Sequence, residues 1–212
     1  MELTLLELFA GTRSVGKEAE KLGFKVFSVD IEPFEKINYV TDILNFEPEK
    51  VPFKPLVIWA SPPCTTFSVM SLGRNWTKAG KPKNEKAALN AQFVVKTIEI
   101  IKFFKPKFWF IENPRGKLRK LHYINPLGQF ENYNRKTVTY CQYGWEIMKP
   151  TDIFNNCQAW QPKPHCKNGM NCHQPSPRGN SNSGLQSIGN RQQRSAIPPA
   201  LCKEILTACI KS

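Results

Sequence analysis

Cys64 ends the turn Ser61-Pro62-Pro63-Cys64, directly after the apolar run Leu56-Val57-Ile58-Trp59-Ala60. That run reads as a buried strand, so the thiol falls at a strand's carboxyl end, where open α/β sheets keep their chemistry. Prolines before the cysteine and Thr65-Thr66 after it give the thiol a rigid approach, whereas a core cysteine would lie inside the apolar run. The thiol is either a nucleophile or a structural turn cysteine. Glu112 stands in the same position after the run Lys107-Phe108-Trp109-Phe110-Ile111, a carboxyl placed for acid–base work or for a solvated cap. Gly11 follows a third such run, and Asp30 a fourth. A glycine opening a helix, with a carboxylate roughly twenty residues on, suits a ligand with ribose hydroxyls. A plain turn glycine with a strand-end carboxylate is the alternative. Arg13 and Ser14 break any full Gly-x-Gly-x-x-Gly pattern, which disfavours a dinucleotide.

The elements that must position these groups follow from periodicity. Residues 3–9 and Lys25–Val29 read as strands around a helix with Val15, Ala19 and Leu22 on one face, ended by Gly23. A weaker strand near Asn38-Tyr39-Val40 leads to Asp42. The spacing predicts a helix over Ala87–Phe104, with Ala91, Val94, Val95, Ile98 and Ile101 facing the core. Lys136–Cys141 and Thr151–Phe154 alternate as a late antiparallel pair. A last helix begins near Pro199, carrying Leu201, Ile205 and Cys209 on one side. The expected class is α/β: a mostly parallel sheet with a late antiparallel strand pair and helices on both faces.

Between residues 155 and 193 the chain turns to Gln, Asn, Pro, Gly, Ser, Cys and His, and no carboxylate occurs from Asn155 to Lys203. We divide the chain into a catalytic domain, 1–154 with 194–212, and a small basic insert, 155–193. Thirty Lys and Arg against seventeen Asp and Glu give a net charge of +13, which favours nucleic acid over acidic small molecules, with anionic membrane second. No apolar stretch approaches membrane-spanning length and no signal peptide is evident, so a soluble, cytoplasmic protein with reduced thiols is expected. The oligomeric state is not legible. In the insert, Cys157, Cys166, Cys172 and His173, with His165 as a competitor, form a candidate zinc set with irregular spacing; ordinary loop thiols are the alternative.

Taken together, the motifs resemble the cytosine-C5 DNA methyltransferases, which use S-adenosylmethionine. Leu8-Phe9-Ala10-Gly11 is similar to the family's first cofactor motif, Ser61-Pro62-Pro63-Cys64 with Phe67-Ser68 to its nucleophile motif, and Glu112-Asn113-Pro114 to its Glu-Asn-Val motif. Tyr143-Gly144 through Phe154 resembles the motif after the sixth strand. Ala196-Ile197-Pro198-Pro199-Ala200-Leu201 resembles the C-terminal motif that folds back beside the cofactor. The order and spacing match as well.

The resemblance implies a Rossmann-like, S-adenosylmethionine-dependent fold and methyl transfer to C5 of cytosine in DNA. It assigns Cys64 as the nucleophile adding to C6 and Glu112 as the acid at N3. Phe9, Ala10, Gly11, Thr12, Asp30, Ile31, Asp42 and Pro62 would surround the cofactor, with Asp30 on the ribose hydroxyls and Asp42 near the adenine amino group. Arg74, Lys78, Lys81 and Lys83 in the loop Ser68–Lys86, with Arg115 and Lys149, would serve nucleic acid.

Three departures bear on this. Arg13-Ser14 replaces a glycine pair, Pro114 replaces valine, and a Gln-x-Arg-x-Arg motif is reduced to Lys149-Pro150-Thr151. The insert is also far shorter than the family's target-recognition domain. RNA cytosine methylation and a catalytically weak nucleic-acid-binding homologue therefore remain as alternatives.

Overall fold

The computed structural model describes residues 2–69, 72–121, 124–176 and 182–212. Residues 70 and 71 of the basic loop and 177–181 of the insert lie outside the described residues. The strands are β1 (Thr4–Leu8), β2 (Lys25–Asp30), β3 (Tyr39–Val40), β4 (Val57–Ala60), β5 (Phe108–Pro114), β6 (Asn134–Thr139) and β7 (Pro150–Asn155). They form one seven-stranded sheet in the order β3-β2-β1-β4-β5-β7-β6. The first five are parallel, and β7 runs antiparallel to both β5 and β6.

Every residue of β1 and β4 is buried, as a parallel sheet covered on both faces requires. Because strand side chains alternate, each strand feeds two cores. Leu6, Leu8, Ile58, Ala60, Trp109 and Ile111 face helix α3 (Glu85–Phe104). Leu5, Val57, Trp59, Phe108 and Phe110 face helices α1 (Ser14–Lys21) and α5 (Pro199–Lys211). Two short helices, α2 (Leu72–Asn75) and α4 (Arg191–Ser195), lie in the connecting segments. Among the described residues no helix is long and apolar enough to cross a membrane.

Two expected details change. Helix α3 begins at Glu85, two residues early, because Asn84 Oδ1 accepts the Ala87 N–H at 2.9 Å and caps the helix. Val95 lies off the buried stripe through Ala87, Ala91, Val94, Ile98 and Ile101 and is 38% exposed. One residue is about 100° of rotation, enough to carry Val95 past the edge of the stripe next to Val94.

One buried carboxyl organises the first loop. Glu7, on β1, accepts the Gly16 N–H at 3.0 Å, the Val15 N–H at 3.2 Å and the Ser28 hydroxyl at 3.0 Å. Burial nevertheless pushes its carboxyl up to about 7, against the opposing pull of those bonds and of Arg13. A carboxyl held above its unfolded value of 4.5 favours folding while protonated, so this contribution is complete below about 4.5 and lost as pH rises through about 7. The loss is roughly 3 kcal/mol at most, from 1.4 kcal/mol per unit. Thermal unfolding of Glu7→Gln should therefore show a flatter pH dependence between 5 and 8, with its largest advantage over wild type at the alkaline end. A variant that follows wild type across that range would show Glu7 to be ionised throughout.

Candidate active site

The Cys64 turn is held at several backbone points. Phe67 and Ser68 donate their N–H groups to the Cys64 carbonyl at 3.0 and 3.1 Å, so Cys64 heads a tight turn after β4 with its side chain half-buried. Asn113 Nδ2 donates to the Pro62 carbonyl at 3.1 Å. Asn90 Nδ2, on α3, donates to the Thr66 hydroxyl at 2.9 Å and to the Pro63 carbonyl at 3.3 Å. Trp76 stacks on Phe67 with centroids 5.5 Å apart and donates its indole N–H to the Thr66 carbonyl at 2.7 Å. From the other side, Lys117 donates its N–H to the Phe67 carbonyl at 2.7 Å. That approach needs Gly116, whose Cβ would stand 2.2 Å from the same carbonyl oxygen.

Glu112 lies one residue beyond the Ala60–Ile111 pair of the β4–β5 ladder, which brings it to the edge that carries the Cys64 turn. It is 6% exposed. The Tyr140 hydroxyl donates to Glu112 Oε1 at 3.0 Å. Burial raises the Glu112 carboxyl above its ordinary range, opposed first by the positive charge of Lys149 and then by the Tyr140 bond. Lys149 is itself 5% exposed, with Nζ 4.7 Å above the Tyr140 ring and donating to the Arg194 carbonyl at 3.0 Å. The result is a carboxyl poised to hold a proton, with a cation and a phenol set behind it.

On the neighbouring strands, the Gly11 N–H donates to Asp30 Oδ2 at 2.8 Å and the Glu32 N–H to Oδ1 at 3.0 Å, which fixes the carboxylate at the end of β2. Gly11 has φ 51°, and a Cβ there would meet nothing within 4 Å, so the backbone faces open space. Phe9 (φ 55°) and Arg13 (φ 59°) share the left-handed region, at a cost of about 1–2 kcal/mol each for residues with a Cβ. Arg13 turns inward instead of into that space: its Nε donates to Ser28 Oγ at 2.9 Å and its guanidinium pairs with Glu20. Ala10 and Pro62 are buried, Thr12 is half-buried, and Ile31 is 63% exposed beside Asp30. Asp42 accepts the Leu44 N–H at 2.9 Å, a local capping bond. The C-terminal motif does fold back to this loop, where the Ile197 N–H donates to Ser14 Oγ at 3.2 Å.

The expected nucleic-acid residues divide. Arg74, Lys78, Lys81, Lys83 and Arg115 are exposed. Lys149 is a correction: buried between aromatic rings behind Glu112, its ammonium acts on the carboxyl and does not reach a phosphate surface. The metal set also changes. Cys141, Cys166, Cys172 and His173 bring their donor atoms within 4.8 Å of one another. Cys157 is absent from this group, because the chain stays in the core through Trp160 and buries Cys157 against Cys209. His165 is exposed and apart.

Contacts that linear spacing does not reveal complete the site. Tyr140 reaches Glu112 across 28 positions, Asn90 reaches the Cys64 turn from α3, and Arg119 forms a bidentate pair with Asp152 under the antiparallel strands.

The site is thus a parallel sheet extended by an antiparallel β7-β6 pair, with a thiol and a protonatable carboxyl at its carboxyl edge. Residues 3–142 match the model of the C-5 cytosine-specific DNA methylase family, and the chain belongs to that family. It is 28% identical over 229 residues to a probable DNA (cytosine-5)-methyltransferase of Frog virus 3 (isolate Goorha), covering 98% of this chain and 100% of that protein. Two solved structures share the fold. A putative DNA modification methyltransferase encoded within an E. coli prophage aligns with TM-score 0.54 at 16% identity, over 79% of this chain and 53% of that one. The Entamoeba histolytica methyltransferase EhMeth aligns with TM-score 0.52 at 12% identity, over 83% and 58%. The chain thus spans little more than half the length of those two proteins.

The pair behind Glu112 makes a prediction about pH. A carboxyl acting as general acid must be protonated, so if Glu112 has that role activity is lost as pH rises through its pKa. Lys149→Met removes the charge that opposes the rise and should move the alkaline limb of the kcat–pH profile upward. Tyr140→Phe should move it the same way by a smaller step. A limb that stays in place in both variants would dissociate these residues from the carboxyl's titration.

Proposed function

We propose that this protein transfers a methyl group from S-adenosylmethionine to C5 of cytosine in DNA through a covalent bond between Cys64 and C6. The observation that carries the reading is the pairing of the Cys64 turn with a buried Glu112, its carboxyl raised above the ordinary range, on adjacent strands. Cytosine C5 is too weak a nucleophile to take a methyl group unaided. Addition of the Cys64 thiolate to C6 breaks the aromaticity and makes C5 an enamine carbon. Negative charge then builds on the ring, and Glu112 relieves it by donating its proton at N3. After transfer, solvent water takes the C5 proton, the C5–H electron pair restores the C5–C6 double bond and expels the Cys64 thiolate, and the N3 proton returns to Glu112.

The bound sulfonium supplies the electrophilic methyl. The residues fit such a cofactor: Asp30 presents a fixed carboxylate for the ribose hydroxyls, the backbone at Gly11 opens onto space, and the exposed Ile31 offers an apolar face for a purine. Phe9, Ala10, Thr12 and Pro62 would border the same space, and Asp42, though engaged as a cap, keeps lone pairs for the adenine amino group.

The exposed cations Arg74, Lys78, Lys81, Lys83 and Arg115 suit the phosphates that flank a base swung out of the duplex. Trp76 anchors that segment to the Cys64 turn, so a phosphate contact there bears on the thiol's position.

Cys64→Ala should abolish methyl transfer while S-adenosylmethionine affinity stays near wild type. DNA carrying 5-fluorocytosine should trap the wild type covalently, since fluorine cannot leave as a proton, and an adduct formed by Cys64→Ala would refute the assignment. Methylation of structured RNA in preference to duplex DNA would move the substrate but not the chemistry.

DNA affinity should also fall steeply with salt, and neutralising Lys78, Lys81 and Lys83 together should lower the slope of log affinity against log salt by about 3, near one per phosphate contact. An unchanged slope would mark these lysines as bystanders.

A further inference from the structure

We infer that Cys141, Cys166, Cys172 and His173 form one tetrahedral zinc site that fastens the insert to the turn carrying Tyr140. This goes beyond methyl transfer and rests on the cluster alone.

The four donors lie within 4.8 Å of one another, and three of the separations below fall close to the edges of a coordination shell while the Cys166–Cys172 pair is tighter. Zinc bonds of about 2.3 Å to sulfur and about 2.0 Å to nitrogen imply tetrahedron edges of about 3.8 Å between sulfurs and about 3.5 Å from sulfur to nitrogen. The Cys172–Cys141 and Cys166–Cys172 Sγ separations are 3.8 and 3.1 Å. His173 Nδ1 lies 3.3 Å from Cys166 Sγ and 3.5 Å from Cys172 Sγ. The donors converge from three separate places: the turn after β6, a loop, and the end of that loop.

The surrounding groups hold these donors in place. His173 Nε2 lies 3.5 Å from Asn168 Oδ1, so the Nε2–H tautomer would donate there and turn the Nδ1 lone pair to the sulfurs. The Cys166 N–H donates to Thr139 Oγ1 at 3.1 Å, and Gln142 Nε2 donates to Cys172 Sγ at 3.2 Å. Binding is an exchange without redox: three thiols release their protons to solvent, and the cation sheds its waters for three thiolates and an imidazole. With all four positions filled by protein, the site is structural.

The insert also needs such a fastener. From Gln161 to Ser176 it has no helix or strand, and Cys166 and His173 are the buried residues in that stretch. Sixteen irregular residues with almost no apolar burial do not offset their own ordering entropy, whereas a metal does. Cys141 directly follows Tyr140, the donor to Glu112, so the same ion would bind the insert to the turn that backs the candidate acid.

Elemental analysis of the full protein, purified without chelators, should find about one zinc per chain. Cobalt(II) exchange should give the absorption of a tetrahedral ion with thiolate charge transfer. Cys166→Ser and Cys141→Ser should lose the metal, whereas Cys157→Ser should keep it. In wild type, chelation should accelerate amide hydrogen exchange across 161–176 by about tenfold or more while β1 and β4 stay protected. None of these readouts depends on methylation, so the site stands or falls apart from the catalytic reading. Protein free of metal, cobalt without thiolate bands, metal lost from Cys157→Ser but kept by Cys141→Ser, or a Cys166–Cys172 disulfide in the unreduced protein would each overturn it.

Discussion

A carboxyl buried as deeply as Glu112 cannot stand ionised without compensation, and much of the site is arranged around that constraint. Burial raises its affinity for a proton, and in the proposed reaction a proton is what a cytosine ring under thiolate attack would take. Tyr140 and Lys149 set how far the raised pKa goes, and both come from the segment joining the last two strands, β6 and β7. The antiparallel pair therefore bears on the carboxyl: without it β5 would be an edge strand, and Glu112 would lose the cover of β7. The Arg194 carbonyl, which accepts from Lys149, draws the segment before α5 into the same network.

The Cys64 side of the site depends on rigidity, not burial. Its turn is tied to β5 through Asn113, to α3 through Asn90, and to the basic segment through Trp76. Thiol and carboxyl thus share a frame in which neither can shift alone, and such preorganisation is what lowers a barrier for two groups acting on one ring. The first loop stores strain instead, with Phe9 and Arg13 both in the left-handed region, in return for an open backbone at Gly11.

Much of this was legible in the residues. Strand runs ending in Gly11, Asp30, Cys64 and Glu112 fixed which groups share the sheet's carboxyl edge, because strand periodicity and helix crossovers are local properties. The resemblance of motif order to one family survived contact with the fold. What escaped was set by tertiary contact. Lys149 stands in sequence where the family's arginines help hold the base and the catalytic carboxylate, and it was grouped with the nucleic-acid residues; the packing of Tyr140 and Trp145 around it puts it on the carboxyl's side. Cys157 was grouped with Cys166 and Cys172 because it begins the polar segment, whereas Cys141 was counted as a strand residue. Nothing in linear spacing reveals that the chain stays in the core through Trp160 and only then crosses to the turn after β6.

The central claim is that this edge chemistry ends in a methyl group on C5 of cytosine, and base-resolved mapping of methylcytosine in DNA from cells expressing the protein tests it most directly. The account predicts 5-methylcytosine that is absent from cells lacking the protein, within a short sequence context matching the small insert. Unmodified cytosine, or methyl groups on the exocyclic N4 in place of C5, would contradict it.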